Sequence, residues 1–225
     1  ALRQDAALLL LQEVASPHAF DQLRTKEALG YIVWLWAGAD YVVEAPGKQV
    51  MSLKLLVQSS SKNAAHVRES MLRFMASLLA SMGGDAAGYD KDDLVSLDAV
   101  TEEEVEVARQ GLVAQLLKRP DSLGDDGARI WAEIMHRRYD WARAWELADI
   151  VKTLELADLV EVLQQVLGVG GLARKAAIEV WRSQDKSPLV DENVVPLRDA
   201  VALDRWKSAM GNWSAEFAPK ATKEL

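Results

Sequence analysis

The sequence predicts an α+β fold, in which a mainly antiparallel sheet is covered by helices. The β-rich segments lie together between residues 31 and 58, and segments with helical periodicity lie before and after them. Strands that are clustered in this way favour the α+β class over an alternating, parallel α/β sheet. Apolar and polar residues alternate over 50–58, which indicates a sheet with one solvated face.

The chain before the strands predicts two helices. Apolar residues recur at helical spacing over 5–15, and Pro17 is expected to end this helix because the residue before a proline is driven out of the helical region. A second helix is predicted over 17–28, ending at Gly30. Its inward face holds three apolar residues: Phe20, Leu23 and Leu29. Its outward face holds four charged residues: Asp21, Arg24, Lys26 and Glu27.

Three strands are predicted next, over 31–36, 41–44 and 49–58, and 45–48 has the composition of a type II turn. One face of the third strand carries four apolar residues: Met51, Leu53, Leu55 and Val57. The opposite face carries Ser52, Lys54 and Gln58. This division predicts which side of the sheet meets the core.

The rest of the chain predicts helices, one strand and a tail. The helices are expected over 62–82, 101–118, 126–139, 141–151 and 155–167, with a surface loop over 83–98 and a final strand over 173–182. Thr101 and Glu104 form the pattern of a capping box. Residues 1–182 are therefore read as one domain, and 183–225 as a polar tail. The tail carries a short amphipathic helix, expected to pack on the domain or on a neighbouring one, with Leu203, Trp206, Met210 and Trp213 on its apolar face.

Composition excludes several classes of function. The 225 residues include 26 Lys and Arg against 34 Asp and Glu, so the net charge is −8 and a nucleic-acid partner is not expected. No apolar run approaches the roughly 20 residues of a membrane span, so no membrane partner is expected either. The absence of Cys and of a basic leader fits a cytoplasmic protein, with an organelle left open.

No metal site is predicted in this chain. The three histidines, His18, His66 and His136, lack the spacing of a zinc motif and are expected on exposed helix surfaces. The acidic loop that begins at Asp90 lacks the Gly and Glu of a calcium-binding loop. Trp34 and Trp36 share one strand face and are candidates to line a groove, whereas the helical tryptophans, Trp131, Trp141 and Trp145, and Trp181 fit core positions.

One segment, 20–33, has a more specific pattern. Arg24 and Tyr31 lie seven positions apart, about two turns of α-helix, so they are expected to face the same side. A guanidinium and a phenol directed at one point suit a carbonyl or carboxylate group. From the residues alone, a solvated helix face remains the alternative.

This segment resembles the C-terminal domain of the insulysin/pitrilysin family of zinc metallopeptidases. The family pattern reads approximately F-x-x-L-R-T-x-E-x-L-G-Y-x-V. The matching residues are Phe20, Leu23, Arg24, Thr25, Glu27, Leu29, Gly30, Tyr31 and Val33. A looser resemblance extends over about residues 5–182, with the first strand of the family domain expected before Ala1. Glu155 stands where the family usually has a Thr helix cap.

The resemblance implies a function that needs more than this chain. Family members close four related α+β domains around a chamber, and zinc is bound by the first of them, outside this chain. The zinc-bound water, activated by a Glu, attacks the peptide bond. Carried over by the matching positions, Arg24 would bind backbone or carboxylate oxygens of a peptide substrate. Tyr31 would act catalytically, by hydrogen bonding near the scissile carbonyl.

The implied partners are peptide substrates and N-terminal zinc-bearing domains, in the same polypeptide or in a partner subunit. The chain alone lacks the zinc motif and is expected to be inactive. The alternative is a non-catalytic peptide-binding or assembly domain of the same fold. A stand-alone α+β interaction protein is a third reading, which the retained Arg24 and Tyr31 disfavour.

Overall fold

The computed structural model describes residues 2–41, 49–86, 88–135 and 137–167. Its elements in chain order are α1 (Leu2–Ala19), a π-helix (Phe20–Lys26), β1 (Ile32–Tyr41), β2 (Gln49–Gln58), α2 (Ala64–Ser81), a 3₁₀ turn (Lys91–Asp93), α3 (Glu102–Leu116), α4 (Leu123–Met135), α5 (Arg143–Val151) and α6 (Leu156–Leu167). Helices before and after an antiparallel strand pair confirm the α+β class. The predictions for the turn at 45–48, the strand at 173–182 and the tail helix lie outside the described residues.

The core is built around α1, which packs against β1, α3, α5 and α6. Its buried side chains lie on several sides of the helix: Ala6, Ala7, Leu8, Leu10, Leu11, Val14, Ala15 and Ala19. A helix that is apolar on most of its circumference is buried rather than laid on a surface, which explains its central position. The Arg143 guanidinium ties α5 to this helix by donating to Asp5 Oδ2 at 2.7 Å.

One face of the sheet is apolar and packs on α1, and the other face is exposed to solvent. β1 and β2 pair antiparallel, with Val33 opposite Val57 and Leu35 opposite Leu55. These residues face the core together with Leu53, as the alternation in the sequence predicts. Two backbone groups of β1 bond to α1 side chains: Leu35 C=O accepts from Ser16 Oγ, and Ala37 N–H donates to Gln12 Oε1.

Pro17 does not end the first helix, so the prediction of two separate helices was wrong. α1 continues through Pro17 to Ala19 and then widens directly into the π-helix. Proline inside a helix removes one backbone hydrogen bond and costs about 3 kcal/mol. Burial of α1 against several neighbours outweighs that cost, and the wider turns follow just after the proline.

The start of α3 is capped as predicted, but only half of the capping box forms. Thr101 Oγ1 accepts from the backbone N–H of Glu104 at 3.2 Å. The Glu104 carboxylate does not accept a hydrogen bond from the backbone N–H of Thr101. Instead its Oε1 lies 2.8 Å from Nε2 of His18, so this pair joins α3 to α1. His18 is therefore largely covered rather than exposed, whereas His66 lies exposed in α2 as predicted.

Asp158 stabilises the start of α6. Its carboxylate accepts from the backbone N–H of Glu155 at 2.9 Å and from Arg3 Nη2 at 2.7 Å. Burial raises the pKa of the Asp158 carboxyl, but the hydrogen bonds from Glu155 and Arg3 and the charge of Arg3 outweigh burial and lower the pKa below 3.8. The start of α6 thus has a side-chain cap, with Glu155 as the residue before the helix.

Replacing Asp158 with Asn is expected to lower the free energy of unfolding by about 0.5–1 kcal/mol at neutral pH, because the charge-assisted bonds are lost. Since the folded-state pKa is depressed, the stabilisation exists above pH 3.8 and disappears as pH falls through the folded-state value. Urea unfolding across this pH range measures the difference. Asp149→Asn, which breaks an exposed pair with Lys152, is the control and should have little effect. A deficit that persisted unchanged in acid would contradict this account.

Three tryptophans expected in the core are exposed instead. Trp131, Trp141 and Trp145 have exposed fractions of 61%, 53% and 62%. Helical spacing predicts that residues share a face, but it does not say whether that face meets a partner. Trp181 lies outside the described residues. In the helices that the structure describes, none is long and apolar enough to cross a membrane.

Candidate functional site

The π-helix carries the candidate site and returns the chain toward the sheet. Its wide turns are closed by Glu27 N–H donating to Gln22 C=O at 2.9 Å and Leu29 N–H donating to Leu23 C=O at 3.0 Å. Ala28 then adopts a left-handed conformation, with φ of 48°. This turn reverses the chain so that Tyr31 comes back over the helix that precedes it. π-Helical turns are uncommon and are frequent at functional sites.

Gly30 allows the reversed chain to enter the sheet. A Cβ atom at this position would lie 1.9 Å from Gln58 O and 3.1 Å from Ser59 Cα, both backbone atoms. Any side chain would therefore separate the start of β1 from the end of β2. Glycine is therefore required at this position because the two strands approach closely there. The close approach also sets the position of the next residue, Tyr31.

Arg24 and Tyr31 come together, as the sequence predicts, although by a different route. The Arg24 guanidinium carbon lies 4.6 Å from the ring centroid of Tyr31 and 4.6 Å from that of Phe20. Tyr31 precedes β1 and is not part of a helix, so helical spacing is not the cause of the contact. The two rings hold the guanidinium by cation–π attraction, worth about 0.5–1 kcal/mol each at an exposed site.

Tyr31 is open to solvent, whereas Arg24 is half-buried. Tyr31 is 80% exposed, and within the described ranges no carboxylate lies at salt-bridge distance from Arg24. The nearby Asp21 pairs with Lys26 at 2.9 Å instead. The hydrogen bond and charge of Asp21 raise the pKa of Lys26 above 10.5, so Lys26 stays charged at neutral pH. A planar guanidinium and a phenol are thus placed side by side, with donors available for oxygen atoms of a ligand.

Two residues of the helix do not face as expected. Phe20, expected inward, is 45% exposed and forms part of the platform under Arg24. Glu27, expected outward, is largely buried: it accepts from Gln22 Nε2 at 2.9 Å and lies 3.5 Å from Arg73 Nη2 of α2. The π-helix rotates each residue by less than an α-helix does, so α-helical spacing misplaces both side chains. Glu27 anchors the π-helix to α2. Its presence in the sequence motif was the feature from which a buried, structural role could have been predicted.

An apolar cleft adjoins the pair. It has a volume of about 310 Å³ and runs between the end of α1 and β1. Its lining residues are Ser16, Phe20, Val33, Trp34, Leu35 and Trp36. The prediction that Trp34 and Trp36 line a groove is therefore confirmed, and Phe20 belongs to both the cleft and the Arg24 platform.

The described part of the chain offers no metal centre. Within those residues, no three His, Cys, Asp or Glu side chains come together in a way that could hold a metal ion. The donor set for a zinc ion is thus not provided by this portion of the protein, and His136 lies outside it. The chemistry that these residues offer is hydrogen-bond donation to oxygen atoms and contact with apolar groups.

Comparison with known proteins assigns this chain to a family. A profile described as PQQ synthase PqqF-like, C-terminal lobe domain 4, matches residues 10–131, more than half of the chain and all of the candidate site. The chain is 28% identical to human insulin-degrading enzyme over 204 residues, 87% of this chain and 18% of that protein. It is 26% identical to a nardilysin-like protein of Arabidopsis thaliana over 205 residues, 89% of this chain and 18% of that protein.

A solved structure agrees in fold. The crystal structure of pitrilysin matches with a TM-score of 0.57 and 21% identity, covering 73% of this chain and 15% of that one. The chain thus spans less than a fifth of the length of these relatives. The chain matches the lobe-domain profile over more than half of its length, and these relatives agree with that match. The chain therefore belongs to the insulysin/pitrilysin family and corresponds to a C-terminal domain of its members.

Proposed function

We propose that the chain is the substrate-binding C-terminal part of a zinc metalloendopeptidase that cleaves peptides inside a closed chamber. The observation that carries the proposal is the Arg24–Tyr31 pair, in which the half-buried Arg24 guanidinium lies over the rings of Phe20 and Tyr31 and the Tyr31 side chain is exposed. The family membership supports it, because the pair lies within the matched region. The zinc-bearing part is proposed to lie in the same polypeptide or in a partner subunit.

Each residue of the pair has a distinct role in this proposal. Arg24 donates from its planar guanidinium to backbone or carboxylate oxygens of the peptide, which fixes the register of the chain. The Tyr31 hydroxyl donates to the carbonyl oxygen at or beside the bond that is cleaved. A donor at this point stabilises the negative charge that develops on that oxygen. Phe20 limits the positions open to Arg24 and so reduces the entropy lost on binding.

The experiment is to isolate the complete native protein and measure its mass, its zinc content and its cleavage of a quenched fluorescent peptide. Expected are a polypeptide several times longer than this chain, or a stable partner, with bound zinc and cleavage that a zinc chelator abolishes and added zinc restores. A zinc-free protein that binds peptides without cleaving them would favour the non-catalytic peptide-binding domain and overturn the peptidase.

A further inference from the structure

We infer that the apolar face of α4 is a docking surface for residues 203–217 of the same chain. This surface, the α4 apolar face, consists of five side chains: Leu123, Ile130, Trp131, Ile134 and Met135. The inference is independent of the proposed function, because it concerns how the C-terminal segment is held and not how a peptide is bound.

The first observation is that α4 holds its apolar side outward. Its large apolar side chains lie along one side of the helix, and its charged side chains lie along the other: Asp125, Asp126, Arg129 and Glu133. Within the described residues no side chain of α4 is fully buried, and Leu123 and Trp131 are 88% and 61% exposed. A helix with this division of residues normally buries its apolar side. The described part of the chain therefore does not supply the partner of this face.

The second observation is that polar contacts fix this orientation. Arg129 Nη2 donates to the C=O of Lys118, before the helix, at 2.7 Å. Glu133 forms an ion pair with Arg138, after the helix, and both of these side chains are largely covered. The charged side of α4 is thus bonded to the segments that flank it. Rotation of the helix to bury its apolar side would break these bonds, so the partner must approach from outside.

The third observation is that the tail sequence has a matching apolar pattern. Five apolar residues recur in alternating steps of three and four: Leu203, Trp206, Met210, Trp213 and Phe217. α4 has steps of four, three and four along Leu123, Gly127, Ile130 and Ile134. Such steps are the spacing with which two helices pack side by side. Each segment would span about 20 Å as a helix, so the tail matches the length of the α4 apolar face.

Charge and chain length favour the tail as the occupant. Asp126 borders the α4 apolar face and forms no ion pair with another described residue, and Lys207 borders the apolar row of the tail. A parallel arrangement places these opposite charges close together, near the start of each segment. The connection 168–202 is long enough to span about 100 Å when extended, so it reaches α4. Because the tail belongs to the same chain, its effective concentration at α4 exceeds that of a second copy.

The test captures the occupant of the α4 apolar face by photocrosslinking. A Trp131→benzoylphenylalanine variant of the complete protein is irradiated, and the captured peptide is identified by mass spectrometry. Capture of a peptide from 203–217 of the same molecule is expected. Trp34→benzoylphenylalanine is the matched control, because Trp34 is 62% exposed but lies on β1, and it should not capture this segment.

Substitutions in the tail test whether its apolar row makes the contact. Trp206→Asp and Met210→Asp each place a charge on that row, so capture of 203–217 from position 131 should be lost. Ser208→Asp introduces the same group on the opposite side of the predicted helix and should leave capture unchanged. Equal capture in all three variants would contradict packing through the apolar row.

Three crosslinking results would overturn the inference. One is capture of a peptide outside 203–217. Another is capture of a second molecule, recognised by mixing isotopically labelled and unlabelled protein. The third is no capture by a variant whose circular dichroism spectrum is unchanged. Met135→benzoylphenylalanine repeats the test if the label at position 131 disturbs folding, because Met135 is also exposed on this face. Peptide cleavage is not measured here, so the peptidase proposal stands or fails separately.

Discussion

Tyr31→Phe in the complete enzyme is expected to lower kcat about 100-fold with little change in KM, as loss of one donor to a developing oxyanion does elsewhere. The ring remains, so the contact with the Arg24 guanidinium at 4.6 Å is retained and folding is unaffected. Steady-state kinetics with a fluorogenic peptide measure both parameters. Tyr139→Phe is the control, because Tyr139 is also exposed, at 56%, and its ring contacts Trp141 rather than Arg24.

Arg24→Ala should act on the same reaction in a different way. Removing the guanidinium takes away peptide-binding donors, so KM is expected to rise by about tenfold or more. The free energy of unfolding in urea is expected to fall by about 1–2 kcal/mol, because two aromatic contacts are lost. Arg24→Lys keeps the charge without the planar fork and should recover only part of the loss. Because the two side chains touch, the double variant should be less than additive. Normal turnover in both single variants would refute their assignment to the site.

Gly30→Ala is expected to lower the free energy of unfolding by about 3 kcal/mol or more, because a methyl group must displace backbone rather than a flexible side chain. Its Cβ would lie 1.9 Å from Gln58 O and 2.7 Å from Gln58 C. The displacement occurs beside Tyr31, so catalysis in the complete enzyme should fall as well. Chemical denaturation followed by intrinsic fluorescence measures the stability.

The control for this variant is Gly111→Ala. Gly111 lies inside α3, and a Cβ there would meet nothing within 4 Å. Alanine is a better helix former than glycine, so this change should stabilise the protein by about 0.5–1 kcal/mol. Opposite signs for the same chemical change would show that close approach, and not loss of glycine as such, governs the effect at Gly30. A Gly30→Ala protein within about 1 kcal/mol of wild type would argue against the tight strand entry.

The strongest local patterns in the sequence predicted their elements well. The alternation over 50–58 predicted β2 and its core-facing side, and the Thr101 cap predicted the start of α3. Both signals depend on residues within a few positions of one another. The motif around Arg24 and Tyr31 likewise predicted that these two side chains meet, and they do.

Other predictions failed where contacts distant in sequence decide the outcome. The helix break at Pro17 was outweighed by burial of α1 among helices from much later in the chain. The outward position of Glu27 was reversed by Arg73 of α2, 46 residues away. The widening at Phe20–Lys26 has no local sequence rule that announces it, and it moved both Phe20 and Glu27 from their predicted faces.

The sequence by itself determined the family, the α+β class and the identity of the pair Arg24 and Tyr31, because motif, periodicity and caps are local properties of the chain. Only the tertiary structure decided how that pair is assembled: a π-helix, a left-handed Ala28 and a strand entry with room for Gly30 alone bring Tyr31 back over Arg24. It also decided that Trp34 and Trp36 border an open cleft. The physical reason is that burial and close approach depend on which distant segments pack together, and periodicity along the chain does not encode those partners.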